Sequence, residues 1–491
     1  MLRLAALILP IIALCACATP ASQAPPALSF DLPATWSPAS ANPPVQAASL
    51  ALWWQRFDDP LLGTLVTRAV RSNTSVTTAQ AALRQAWALR DVARAALLPT
   101  LNGTASAQRN TTGGAVADGA NASNLYQAGL NANWVPDVFG ANRGAFDAAQ
   151  AAALSSSASL GDVQVAIAAQ AGLSYIGLRG AQVRLQIAND NLASAQETLQ
   201  ITLWRQQAGL GSALEAEQAR AAAEQTRALV PALQIVIEQS RHALAVLTGQ
   251  PPAALATLLA GAGPVPQAAP DVAMSIPADT LRQRADVRAA ELKVTAALAR
   301  VSQARAARLP SFALGGSLGL NALTVSALSG SAAVVSSLFA SIAAPLFDGG
   351  AGRAQVLAQQ AAYDQARIAY EAAVLAALKD VEDALTALAG DRGRLLSLRL
   401  AADAAASASL LARQRYSTGL IDFQVVLETQ RTQLSTQDSV AAADADVSAD
   451  YVRLYKALGG GWQPATVSAG LSPPTPPGPA LGEQVNRSST Q

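Results

Sequence analysis

The stretch "PLFDGGAGRAQ", Pro345 to Gln355, decides the fold. A short apolar run ends in a glycine cluster, and Ala- and Gln-rich sequence follows. Strand, Gly-rich turn and helix, in that order, begin a phosphate-binding loop. They also describe a chain turning a sharp corner, which glycine permits because it lacks a Cβ. A phosphate loop needs a Gly-Lys-Ser/Thr end, or an acidic residue farther on. This stretch continues instead to Arg353.

The stretch has a twin. "DVFGANR" (Asp137 to Arg143) matches "FDGGAGR" (Phe347 to Arg353) at a step of 210. "AALLPTL" at Ala95 returns as "AARLPSF" at Ala306, and Pro99 to Pro310 is a step of 211. "RQQAGL" at Arg205 returns as "RYSTGL" at Arg415, and "LTG" at Leu247 as "LGG" at Leu458. Landmarks in constant register mark a tandem duplication, roughly Leu61 to Gly249 and Ala278 to Gly460. Gly140 and Arg143 in the first copy, and Gly349, Gly350 and Arg353 in the second, then form one corner used twice, with no GK[ST] in either.

Each copy reads helix, hairpin, long helix, turn, helix. From Arg143 to Gln207 there is no proline. Leu185, Ala188, Leu192, Ala195 and Leu199 follow the 3-4 spacing of a coiled-coil seam. Leu395, Leu398, Ala402, Ala405 and Ser409 repeat it 210 residues later. Sixty-odd helical residues span roughly 95 Å, too long for a compact domain. "AGLGS" and "TGLID" then turn the chain, and a second helix returns.

Between the helices the period falls to two. "YQAGLNANW" alternates Tyr126, Ala128, Leu130, Ala132 and Trp134, and "FALGGSLGL" does the same from Phe312. Strands are expected near residues 99–111, 123–135, 310–321 and 334–346. No charged residue lies between Leu309 and Phe347, and only Arg109 and Asp118 lie between Pro99 and Pro136. Missing charges, and the expected lack of an interleaved polar face, favour a membrane β-barrel over a soluble sheet. Four strands cannot close a barrel, and an open sheet in lipid leaves backbone groups unpaired. Two chains would supply eight strands, and three would supply twelve.

The 491 residues are 14% charged, with 34 basic and 33 acidic side chains, which gives no basic footprint for nucleic acid. Hydrophobic residues make up 51% but aromatics only 4%. Alanine-rich chains of this kind suit long, closely packed helices. The only cysteines, Cys15 and Cys17, exclude disulfides and thiolate metal sites from the body of the protein. The leader "MLRLAALILPIIALCACATP" is too short in its apolar part for a spanning helix and reads as a secretory signal. "LCAC" resembles the bacterial lipobox, which implies cleavage before Cys17 and a lipid on it. The alternative is an ordinary signal peptide.

No Ser-His-Asp order, zinc spacing or paired-acid pocket is present, so no catalytic residue, metal or cofactor is expected. The single histidine, His242, sits among Gln239, Ser240 and Arg241 and reads as a solvated helix position. Trp53, Trp54 and Phe57 read as a dock for the N-terminal segment rather than a ligand cage.

Taken in order, these marks resemble the outer-membrane efflux proteins, the TolC-like outer membrane factors, in their lipid-anchored NodT-type branch. The marks are the lipobox, "WWQRFDDPLLGTLVTRAVRSN" from Trp53, the doubled "LP" strand starts, "FDGGAGR" and the two Gly-Leu turns. "RQRADVRAAE" from Arg282 is similar to a family stretch in which Pro stands where this chain has Ala285. The resemblance implies an α+β membrane protein, a homotrimer whose twelve-stranded outer-membrane β-barrel continues as a periplasmic α-helical barrel. It implies a periplasmic adaptor and an inner-membrane pump, of the RND type first, with ABC or MFS pumps as other candidates.

The expected divisions are a signal at 1–16, a lipid-anchored segment at 17–58, repeats at 59–250 and 278–462, a linker at 251–277 and a disordered tail at 463–491. Gly209, Leu210, Gly211 and Ser212, with Gly419, Leu420, Ile421 and Asp422, are the expected adaptor-docking tips, unless they merely end helices. The family often shows an acid nine positions after the second tip glycine and an Arg three further on, here Glu428 and Arg431, as a periplasmic gate. The first copy has Gln218 at the acidic position. The implied function is a passive exit duct for drugs, toxic compounds or metal ions, whose specificity resides in the pump. A protein-secretion duct and a non-conducting envelope spacer are the alternatives.

Overall fold

A computed structural model describes residues 28–31, 33, 50–112, 121–269 and 284–462. Cys17, Asp118, the beginning of the second repeat and the tail after Trp462 lie outside the described residues.

The chain enters through a short 3-10 turn, Trp53–Phe57. Asp59 then caps α1 (Pro60–Ser72), its carboxylate accepting from the amides of Leu61 and Leu62 at 2.9 Å, with Pro60 in the first helical position. Asn73 ends α1 and caps α2 (Thr74–Ala95). The first hairpin follows, β1 (Thr100–Thr112) and β2 (Asn121–Trp134), then α3 (Ala141–Gln207) and α4 (Ala213–Leu247). The order repeats as α5 (Ala285–Ala306), β3 (Ser311–Ala322), β4 (Val334–Ala343), α6 (Ala351–Ser417) and α7 (Phe423–Ala457). α2 and α5 each have 22 residues, α3 and α6 each 67, and α4 and α7 each 35. From α2 onward the duplication is therefore one of structure, element for element. Sixty-seven residues make a rod of about 100 Å.

Ala285, where the resembling family carries proline, does not disturb the start of α5. It is the first helical residue and is buried. Arg284 before it donates to the Ala457 carbonyl at 2.7 Å and pairs with Asp286 and Asp380, fixing the entry from outside the helix.

The four strands form one antiparallel sheet in the order β1-β2-β3-β4. The register puts Leu101, Ala105, Leu130, Ala132, Leu314, Leu318, Leu338 and Ile342 on one face. The other face carries Asn102, Thr104, Ser106, Gln127, Asn131, Ser317 and Ser337. This corrects the expected absence of an interleaved polar face: the second face is mostly polar, its polar side chains being hydroxyls and amides, with Leu125, Val335 and Phe339 set among them. The polar side chains bond one another across the strands, as Asn131 does to Thr104 at 3.2 Å and Ser317 to Ser337 at 2.7 Å. Neither face is covered, and every position of β4 is exposed.

The apolar core sits among the helices. Trp53 stacks on Tyr455 of α7 with ring centroids 5.8 Å apart, and meets Trp54 and Phe57 edge-on. These three residues dock the N-terminal segment, as the sequence suggests. Small residues let the long helices approach: a Cβ on Gly172 of α3 would stand 2.8 Å from the Trp53 ring. In the seams, Ala188, Leu395, Ala405 and Ser409 are buried and Leu185 and Leu192 half-buried. His242 is an exposed position on α4.

Candidate functional site

Three regions carry the residues of interest: the strand-to-helix corners, the far tips of the helical hairpins, and the seam joining the hairpins.

At the corners, Gly140 and Gly350 immediately precede α3 and α6 with φ of 83° and 89°, and Gly349 has φ 63°. This left-handed backbone is what the glycines supply. The opening amides of α6 find Asp348, whose carboxylate accepts from Gly350 and Gly352 at 2.8 Å each. Those two bonds hold the Asp348 carboxyl below its ordinary range. In the first copy Asp137 caps the Arg143 amide instead. Gly140, Gly349 and Gly350 thus shape the corner, while Arg143 pairs with Asp147 and Arg353 is exposed. The capping acids escape a motif search because they occupy different steps of the repeat, 137 against 348. The signal available was an acid a few residues before a helix start.

At the tips, both turns are Schellman motifs. Leu210 donates its amide to the Arg205 carbonyl at 2.8 Å, and Leu420 to that of Arg415 at 2.9 Å. Gly209 and Gly419 take φ of 71° and 77°. In this motif the residue after the glycine ordinarily folds back on its helix. Here Leu210 and Leu420 remain 72% and 74% exposed. Ser212 is occupied otherwise: its hydroxyl accepts from the Glu215 amide while Glu215 accepts from the Ser212 amide, a capping box. Asp422, its counterpart, makes no side-chain cap bond. Gly211 lies against Glu215, and Ile421 is half-buried on a small core of Ala219, Ala412, Phe423, Val426 and Leu427. Arg205 lies 4.6 Å over the Tyr416 ring. That contact and the small core bind the two tips into one unit.

Between the hairpins runs a polar ladder. Arg184 of α3 donates to both carboxylate oxygens of Asp438 on α7, at 2.7 and 3.0 Å, and that bond raises the Arg184 pKa. Asn191 meets Gln437 at 2.9 Å, Ser194 meets Arg413 at 3.0 Å, and Thr198 meets Gln430 at 2.9 Å. Arg431 does not turn to Glu428. It reaches Gln225 of α4 at 3.4 Å. Glu428 is exposed, and the described residues hold no ion pair to it. The pairing of Glu428 with Arg431 inside one chain is therefore not what the fold adopts. A cavity of about 620 Å³ lies between α3, α4 and α7, with Arg184, Gln225, Arg431 and Asp438 on its wall.

A second polar network ties the N-terminal segment to the helices. The Tyr175 hydroxyl donates to Asp59 at 2.9 Å and accepts from Arg179 at 3.0 Å. Arg179 continues to the Gly261 carbonyl at 2.6 Å. Burial first, then Asp59, pushes the Tyr175 phenol up to about 12. Sequence spacing has no signal for Arg179 or for Arg184 with Asp438, which lie 254 residues apart. Among the described residues no cluster of acids, histidines and cysteines has the geometry of a metal site.

The comparisons with known proteins fit this geometry. The outer membrane efflux protein family model matches the chain twice, over residues 65–250 and 276–460. The chain is 32% identical over 460 residues to the pyoverdine export outer membrane protein OpmQ of Pseudomonas putida, covering 92% of this chain and 96% of that one. It is 31% identical to nodulation protein T of Rhizobium leguminosarum bv. viciae, covering 95% of each. The solved outer-membrane channel OprN superposes with a TM-score of 0.83 at 35% identity, over 90% of this chain and 99% of that one. A duplicated frame of long helices carrying an uncovered sheet with one charged residue, Arg109, is the architecture of an outer-membrane export channel rather than an enzyme, and the chain belongs to the outer membrane efflux protein family.

Proposed function

We propose that three copies of this chain close their sheets into one twelve-stranded barrel, continued into the periplasm by the helices, as the passive exit duct of a tripartite efflux system. The observation that carries this reading is the pair of open sheet edges. β1 and β4 each have one unpaired side, and neither sheet face is covered. Alternation across four strands leaves β1 and β4 antiparallel to each other, so β4 of one copy meets β1 of the next in the same sense as every other pair. Lipid tolerates the sheet only when that ring is closed. The apolar face then meets lipid and the hydroxyl and amide face lines the passage.

The tips at Gly209–Ser212 and Gly419–Asp422 serve as the adaptor surface, because Leu210 and Leu420 stand clear of their helices. Glu428, without an ion pair among the described residues, faces its symmetry mates around the narrow mouth and meets a base of a neighbouring chain there. Cys17 carries a lipid anchor, which the intact mass of the mature chain reports. The pump is of the RND type, with ABC and MFS pumps as the other classes such ducts serve. Relatives named for pyoverdine export, nodulation, toluene efflux and solvent efflux share this frame, which supports placing specificity in the pump.

Native mass spectrometry of the detergent-extracted protein tests the closure. A trimer is the expected species. A stable monomer with its sheet intact contradicts it.

A further inference from the structure

The inner face of the sheet is built mostly from polar side chains and glycines, with Val335 and Leu125 as aliphatic members, and Phe339 of β4 is its one aromatic among the described residues. Phe339 lies in register with Gly315 of β3 and points away from Leu338 and Ile342, which share the apolar face. It is flanked along its own strand by Ser337 and Ser341 and is 52% exposed. Its row across the sheet is Thr100, Asn133, Gly315, Phe339. The ring lies over Gly315 and fills the space where a Cβ would stand. Gly315 is four residues from the start of β3, roughly 13 Å along the strand. That places the ring in the half of the barrel nearer the helices.

The duplication shows that the hairpin does not require an aromatic there. Before the hairpin the step between copies is 211, as from Pro99 to Pro310, and after it 210, as from Arg143 to Arg353. Gly315 then corresponds to Thr104 and Phe339 to Gly129, and these two residues form the same cross-strand pair in the first copy. The first hairpin closes this position with a threonine and a glycine.

We infer that Phe339 is a cargo-contacting residue of the duct. Resting on the barrel reading above, three Phe339 rings stand on the inner wall and offer an aromatic face to planar aromatic cargo in a passage lined mostly by hydroxyls and amides, whose aliphatic members Val335 and Leu125 have no π face. A ring with one face free stacks with flat aromatic molecules and attracts cations. An aromatic laid over a glycine of the neighbouring strand also supports strand pairing, so the test must separate the two roles. Phe339→Leu does so, because leucine still covers Gly315 but has no π face.

The experiment is single-channel recording of the full-length trimer with ethidium added from the barrel side, and tetrapropylammonium as an aliphatic cation of equal charge. The expected result for Phe339→Leu is unchanged trimer yield and open conductance, an ethidium dwell time about 5- to 10-fold shorter through lost stacking, and a tetrapropylammonium dwell time shortened by at most about twofold, since that ion loses only a weak exposed cation–π contact. Phe339→Ala is expected to shorten the ethidium dwell time at least as much. Ethidium dwell times unaffected by Phe339→Leu, equal shortening for both cations, or a leucine variant that fails to form trimers would each overturn the inference. A wild-type trimer that carries no current is a different outcome, since it removes the duct itself.

Discussion

Arg184 on α3 and Asp438 on α7 are joined by two hydrogen bonds across the seam between the chain's two helical hairpins. The pair is a little over a third exposed on each side, which sets its scale at about 0.5–1 kcal/mol. The ladder that continues it through Asn191, Ser194 and Thr198 is polar as well. Within each hairpin, by contrast, alanines and leucines pack the helices. A polar seam is the joint along which one hairpin can move against the other at modest cost. Arg184→Ala is expected to raise open probability roughly two- to fivefold per protomer, by the conversion of that energy, without loss of the trimer. Single-channel recording reads the change, and Asp438→Asn should reproduce most of it.

Glu428 lies on α7, next to this seam. Because Arg431 is engaged with Gln225 rather than with it, the two residues are expected to act separately. Glu428→Ala should raise conductance and weaken cation preference, since carboxylates brought together around a narrow mouth attract cations and repel one another. Arg431→Ala should leave cation preference unchanged while loosening α4 from α7. Wild-type conductance and selectivity in Glu428→Ala would make Glu428 an ordinary solvated side chain.

The tips give a sharper outcome. Leu210→Asp and Leu420→Asp place a charge on knobs already in water, so folding is expected to change by less than about 0.5 kcal/mol. Adaptor crosslinking should fall at least tenfold in either variant with the trimer preserved. Undiminished crosslinking in both would leave these turns as helix ends alone.

A pH effect is expected at Asp450 of α7. It is 1% exposed, one carboxylate oxygen has no hydrogen-bond partner, and Arg453 holds the other. Burial raises its pKa against the pull of Arg453, and Asp391 of α6 faces it and raises it further. A carboxyl whose folded pKa is raised favours the folded state when protonated. Stability is therefore lost as pH rises from the unfolded carboxylate range through the higher folded value. Asp450→Asn should raise the trimer's dissociation temperature at pH 7 by a few degrees and leave it unchanged at pH 3. A lower temperature at pH 7 would show that the charge on Asp450 is needed.

How much of this was legible in the sequence follows from which interactions are local. The corner at Gly349 and Gly350 and the turns at Gly209 and Gly419 were readable, because each depends on left-handed backbone that glycine adopts within a few residues. The strands were readable from a period of two, and the long helices from seams at Leu185 and Leu395. The polar face is harder to read, because alternation marks one set of positions as apolar while Asn131, Ser317 and Ser337 on the other carry no charge to mark them. The partner of Arg431 is illegible for another reason. Gln225 lies on a different helix, and single-sequence spacing carries no information about contacts between hairpins.

The proposed duct requires the open sheet to close with copies of itself into a conducting passage. The most direct measurement is the current through purified full-length protein in a planar lipid bilayer. Discrete single-channel steps of one size, carried by trimers and ohmic in the open state, are the predicted result. A protein that inserts as a trimer and carries no current under any voltage, with Glu428→Ala equally silent, would contradict the account.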